Sequence, residues 1–114
     1  MTCSFVTEGD ILVAVPAGRI DTTNYEEFKK LLNDALDQGG ARHLIVDLAD
    51  LEYVSSAGFR EFFLAGRRMG RAGGTLSVCS FQPQVKELFE IAQFMTAYAV
   101  YESREAAVAA AKAS

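Results

Sequence analysis

The sequence predicts an α/β domain built on a mixed, mostly parallel β-sheet, with an N-terminal hairpin and about four flanking helices. Three observations lead there. Short apolar runs rich in β-branched residues alternate with longer stretches whose apolar residues recur every three or four positions. Strand–helix–strand order calls for right-handed crossovers, hence parallel neighbours. Glu8-Gly9-Asp10 between the first two runs reads as a tight turn, so they pair as a hairpin.

Each element has a local reason. Ser4-Phe5-Val6-Thr7 and Ile11-Leu12-Val13-Ala14-Val15 read as strands, with Glu8-Gly9-Asp10 as the turn between them and Pro16 at the end of the second. Thr23 and Glu26 have capping-box spacing, which marks a helix start. Phe28, Leu31, Leu32, Ala35 and Leu36 then form one stripe, and Gly39-Gly40 ends the helix. His43 to Leu48 is a near-continuous apolar run, which suits a strand covered on both faces. A brief loop follows, then Ser55 and Ser56 at the start of a second helix. Phe59, Phe62, Phe63, Gly66 and Met69 or Gly70 line its apolar stripe. Gly66 in that stripe predicts a close neighbour, and Gly73-Gly74 ends the helix.

Thr75 to Ser80 returns as a strand, and Pro83 opens a third helix with Val85, Leu88, Phe89 and Ala92 on its apolar face. Ala97 to Tyr101 reads as an edge strand. Ser103 caps an alanine-rich final helix, Arg104 to Lys112. No repeat or low-complexity linker interrupts this order, so residues 1–114 are read as one domain.

Composition narrows the function. Half of the residues are hydrophobic and 23% are charged, which fits a folded domain and not a disordered chain. No apolar run approaches the ~20 residues of a membrane span, and no secretion signal opens the chain, so membrane insertion is not expected and the cytoplasm is the expected location. A net charge of −4 argues against nucleic acid. The one basic cluster, Arg67, Arg68 and Arg71, reads as a solvated face or helix C-terminus. Cys3 and Cys79 lack metal-site spacing, and Cys79 is expected to be a small buried hydrophobe. No metal and no cofactor are expected.

Enzyme chemistry finds little support. Ser56 lies on a strand-to-helix turn, but a nucleophile elbow needs a glycine two residues earlier, where this chain has Val54. The lone histidine, His43, precedes its strand and so falls at the opposite end from Ser56. Gly70-Arg71-Ala72-Gly73-Gly74 runs from helix to strand, the reverse of a phosphate loop. What remains is Asp21 with Ser55 and Ser56, on loops that a parallel sheet gathers at its carboxyl edge. A helix N-terminus there suits either a cap or a phosphate.

The string Asp47-Leu48-Ala49-Asp50-Leu51-Glu52-Tyr53-Val54-Ser55-Ser56-Ala57-Gly58-Phe59 resembles the signature of the STAS domain family, and more narrowly the stand-alone bacterial anti-sigma-factor antagonists. Gly18-Arg19-Ile20-Asp21, the Gly73-Gly74 strand entry and the Pro83–Phe89 helix extend the resemblance over nearly the whole chain. The family core reads Asp-Ser-Ser/Ala-Gly-Leu. Laid onto this chain, the phosphoacceptor serine is Ser56, followed by Ala57 and Gly58, with Phe59 in place of leucine. Ser55 replaces the family's Asp, leaving a second hydroxyl as the alternative acceptor, and Asp21 matches the other acidic position.

The resemblance implies a partner switch rather than an enzyme. The unphosphorylated protein would bind an anti-sigma factor that is also a serine protein kinase, releasing the sigma factor. Phosphorylation of Ser56 would end that binding, and a PP2C-type phosphatase would restore it. The implied docking surface comprises Asp21, Ser55, Ser56, Ala57, Gly58, Phe59, Arg60 and Arg67. The alternative it leaves open is a constitutive subunit of a lipid-transport complex or of a stress-signalling scaffold.

Overall fold

The computed structural model describes all residues, Met1–Ser114. Six strands and four helices follow one another: β1 (Thr2–Glu8), β2 (Ile11–Ile20), α1 (Tyr25–Asp37), β3 (His43–Asp47), β4 (Leu51–Val54), α2 (Ser56–Arg71), β5 (Thr75–Cys79), α3 (Pro83–Ile91), a 3₁₀ turn (Phe94–Thr96), β6 (Ala99–Tyr101) and α4 (Arg104–Lys112). The sheet runs β1-β2-β3-β5-β6, with β4 attached to the far end of β2. Only β1 and β2 are antiparallel; every other pair is parallel. No helix is long and apolar enough to cross a membrane.

The two-residue period of the strands divides the core. Leu12, Ala14, Leu44, Val46, Leu76 and Val78 face the larger cluster under α1, α2 and α3. Ile11, Val13, Ile45 and Cys79 face the other way and meet Ala107 of α4. Within the larger cluster Phe28, Phe59, Phe62, Phe89 and Phe94 touch edge to face or tilted, with ring centroids 4.7–6.4 Å apart. Phe94, absent from the expected core, is completely buried. Burial pushes the Cys79 thiol up to about 11, in keeping with an inert small hydrophobe.

Several expectations change. Pro16 does not end β2, which continues to Ile20. Its missing N–H is tolerated because β2 leaves β3 after Ala14 and meets β4 only from Gly18, so Pro16 falls in the gap between two parallel partners. Leu51–Val54, expected to lie in a loop, forms the strand β4. The expected capping box does not form: α1 starts at Tyr25, and the Thr23 hydroxyl donates to Asp21 Oδ1 instead. Strand β5 stops at Cys79, because Ser80 takes a left-handed φ of 64°. The Phe94–Thr96 turn delays β6 to Ala99.

Other expectations hold. Gly39 and Gly40 terminate α1 at φ near 87–88°, and Pro83 is the first residue of α3. A Cβ on Gly66 would lie 2.3 Å from the Tyr98 ring, so the glycine admits that aromatic against α2.

Candidate functional site

The strand missed in the sequence is the one that builds the site. Ile20 at the end of β2 pairs in parallel with Val54 at the end of β4, and the Ser55 N–H donates to the Ile20 carbonyl at 2.8 Å. Asp21 and Ser55 therefore leave adjacent strands at the same carboxyl edge. Ser56 follows this fourth strand, not the His43–Asp47 strand.

The two serines differ in what their hydroxyls do. Ser55 is the N-cap of α2: its backbone is extended (φ −83°, ψ 173°) and its Oγ accepts the Gly58 N–H at 3.4 Å. Ser56 is the first helical residue, exposed, and its hydroxyl has no partner within the protein. The first backbone N–H groups of the helix lie beside it without intrahelical partners. A capping hydroxyl and a free one thus occupy consecutive positions, a distinction that the sequence left open.

Asp21 is held by its own loop. Its Oδ1 accepts the Thr23 N–H at 2.9 Å and the Thr23 hydroxyl at 2.5 Å. The Thr23 bonds, with a smaller contribution from Arg19, hold its carboxyl below the ordinary value. Asn24 closes the loop, accepting the Asp21 N–H at 2.9 Å and donating to the Arg19 carbonyl at 2.8 Å. Arg19 lies with its Nε 3.7 Å from Asp21 Oδ2 and its guanidinium 4.4 Å from the centre of the Tyr53 ring. Sequence reading gave Arg19 and Tyr53 no role; their pairing depends on the β2–β4 register, in which they are partners.

On the other side of Ser56 an open groove of about 480 Å³ runs along α2 toward Ala92 after α3. Ser56, Arg60, Phe63, Leu64 and Arg67 line it, with Phe59 at its floor. These positions recur at helical spacing and make one ridge. Arg60 and Arg67 are exposed, and neither forms an ion pair. Of the basic cluster, Arg68 alone is tied down, donating to Asn33 Oδ1 at 2.8 Å and Asp37 Oδ1 at 2.6 Å on α1. The structure thus brings Ser56, Arg60 and Arg67 onto one surface and Asp21 beside Ser55.

Gly58 and Phe59 belong to the packing beneath that surface. A Cβ on Gly58 would lie 2.8 Å from Ile20 Cγ2 and 2.8 Å from Val54 Cγ1, so the glycine lets the start of α2 rest directly on β2 and β4. Phe59 is 8% exposed and stacks edge to face on Phe89. Ala57 is half-buried. His43 lies at the start of β3, bonded through Nδ1 to the Thr75 hydroxyl at 2.8 Å, at the amino edge of the sheet and away from Ser56.

Residues 3–107 match the family described as STAS domain. BtrV of Bordetella bronchiseptica, provisionally named an anti-sigma factor antagonist, is 37% identical over 102 residues, covering 90% of this chain and 87% of that protein. A Thermotoga maritima protein crystallised under the same provisional description superposes with a TM-score of 0.89 at 17% identity, over 96% of this chain and 94% of that one. The Bacillus cell fate determinant SpoIIAA in its phosphorylated form superposes with a TM-score of 0.70 at 16% identity, over 92% of this chain and 96% of that one. At these identities the two structures speak to the fold.

Proposed function

The chain belongs to the STAS domain family, and on that premise we propose that it is an anti-sigma-factor antagonist controlled by phosphorylation of Ser56. Unphosphorylated, it binds an anti-sigma factor that is also a serine protein kinase, and the sigma factor is released. The kinase transfers the terminal phosphoryl group of ATP to Ser56 Oγ, which loses its proton as ADP leaves. The modified protein dissociates, and a PP2C-type phosphatase hydrolyses the ester to restore the hydroxyl. The protein is a substrate and binding module in the cytoplasm, with no catalysis of its own.

The observation that carries this reading is the division of labour between the serines. Ser55 caps the helix, and Ser56 presents a free hydroxyl at the helix N-terminus beside a groove with two unpaired arginines. An anion at that position is favoured by the helix dipole and free N–H groups, so the phosphate adds about −1.5 to −2 charges without disturbing the fold. Its effect falls on the partner, whose surface must accept new charge, bulk and hydration. The name given to BtrV, and the existence of SpoIIAA in unphosphorylated and phosphorylated forms, support the same assignment.

The docking surface of this proposal comprises Ser56, Arg60 and Arg67 along the groove and the Asp21–Ser55 edge, with Ala57, Gly58 and Phe59 holding it in place. Phosphosite mapping of the protein purified from its native host, with and without phosphatase, tests the reading. Phosphate on Ser56 is expected. Phosphate on Ser55 would break the assignment of roles, and no phosphate under any growth condition would overturn the switch in favour of a constitutive subunit.

A further inference from the structure

Resting on that partner-switch reading, we propose that Arg60 clamps the phosphate of phosphorylated Ser56 within the same helix. The modification then withdraws an arginine from the docking surface at the same time as it adds charge to that surface.

The geometry is specific to these two positions. Ser56 is the first residue of α2 and Arg60 stands four residues on, so their side chains are neighbours one turn apart, with Cβ atoms ~5–6 Å from each other. Both line the same open groove and both are exposed. Arg60 has no carboxylate partner to give up. An anion on the N-terminal side of a cation four residues later is the favoured orientation of such a pair, and the phosphate at the first helical position faces the positive pole of α2. The guanidinium fork matches two phosphate oxygens, while the free N–H groups of the first turn face a third.

The other cations near the site are differently placed. Arg67 lies eleven residues from Ser56 on the same helix, about 16 Å along its axis and beyond the ~8 Å Debye length of physiological salt. Arg19 is already stacked on Tyr53 and paired with Asp21. Of the two groove arginines, Arg60 alone is within reach of the phosphate.

The test uses the full chain with phosphoserine installed at position 56 during translation, so no kinase is needed. The second ionisation of the phosphate is followed by ³¹P NMR in the otherwise wild-type protein and in Arg60→Gln and Arg67→Gln. A cation beside the phosphate favours its dianion. The expected result is a pKa lower by about half a unit in wild type than in Arg60→Gln, a threefold effect on that equilibrium, with Arg67→Gln matching wild type. Equal values in wild type and Arg60→Gln would overturn the clamp, as would an equal shift in Arg67→Gln. Because the phosphate is placed by synthesis, this result stands apart from whether the native host phosphorylates Ser56, which is what decides the partner switch.

Discussion

Gly58→Ala should loosen the seat of the site and cost measurable stability. The added Cβ would lie 2.8 Å from Ile20 Cγ2, 2.8 Å from Val54 Cγ1 and 3.3 Å from Ile20 Cβ, where carbon atoms ordinarily approach no closer than ~3.5 Å. Neither neighbour can yield cheaply. Ile20 and Val54 are 0% and 2% exposed, and β-branched side chains have little freedom at χ1. Overpacking of this kind costs about 1–3 kcal/mol, and alanine returns up to about 1 kcal/mol in helix propensity. With that return in full the net loss is up to about 2 kcal/mol, or up to roughly 10 °C in Tm for a domain of this size, and the gap to a glycine with open space around it is about 1–3 kcal/mol. Gly70→Ala on the same helix is the internal comparison. It has nothing within 4 Å of the added Cβ, so it should be neutral to stabilising by up to about 1 kcal/mol. Urea unfolding followed by circular dichroism measures both. A Gly58→Ala protein as stable as Gly70→Ala would refute the argument that Gly58 is there for close approach.

The two serines should separate in stability measurements. Ser55→Ala removes the N-cap of α2 and should cost about 1 kcal/mol, whereas Ser56→Ala should stay within about 0.5 kcal/mol of wild type by the same urea titration. Asp21 should contribute an acid limb to stability. Its folded carboxyl is held below 3.8, so its contribution is present above that value and is lost as pH falls through the lowered one. Asp21→Asn should therefore show a flatter Tm profile below pH 4 than wild type in scanning calorimetry. Arg60→Glu and Arg67→Glu should each weaken binding to the anti-sigma factor by tenfold or more in biolayer interferometry while leaving Tm unchanged, because both side chains are exposed and unpaired.

What the sequence conveyed, and what it withheld, follows from the range of the interactions involved. Central strands such as His43–Asp47 are legible because burial on both faces demands a near-continuous apolar run. The helix stripes are legible because one buried face repeats every three or four residues. Leu51–Val54 is not legible as a strand: it has four residues, and it pairs only with the part of β2 that lies beyond Pro16, where proline signals a strand end. The stack of Arg19 on Tyr53 was hidden for the same reason, since it exists only in that register.

Local competition explains another miss. Thr23 has the spacing of a cap, but the Asp21 carboxylate offers its hydroxyl and N–H a nearer acceptor, and α1 starts later. Which of Ser55 and Ser56 caps α2 is not legible from spacing, because their roles turn on a single residue of helix phase. The ridge of Ser56, Arg60, Phe63, Leu64 and Arg67 is within reach of spacing alone, while Ala92 after α3 joins the groove only through tertiary packing.

The most direct test of the central claim is the affinity of the anti-sigma factor kinase for this protein with serine or phosphoserine at position 56, measured by isothermal titration calorimetry. The account predicts a loss of a hundredfold or more on phosphorylation, about 3 kcal/mol, with Tm of the free protein equal or higher. Equal affinity for the two forms, or a phosphorylated protein that binds weakly because it has lost its fold, would contradict it.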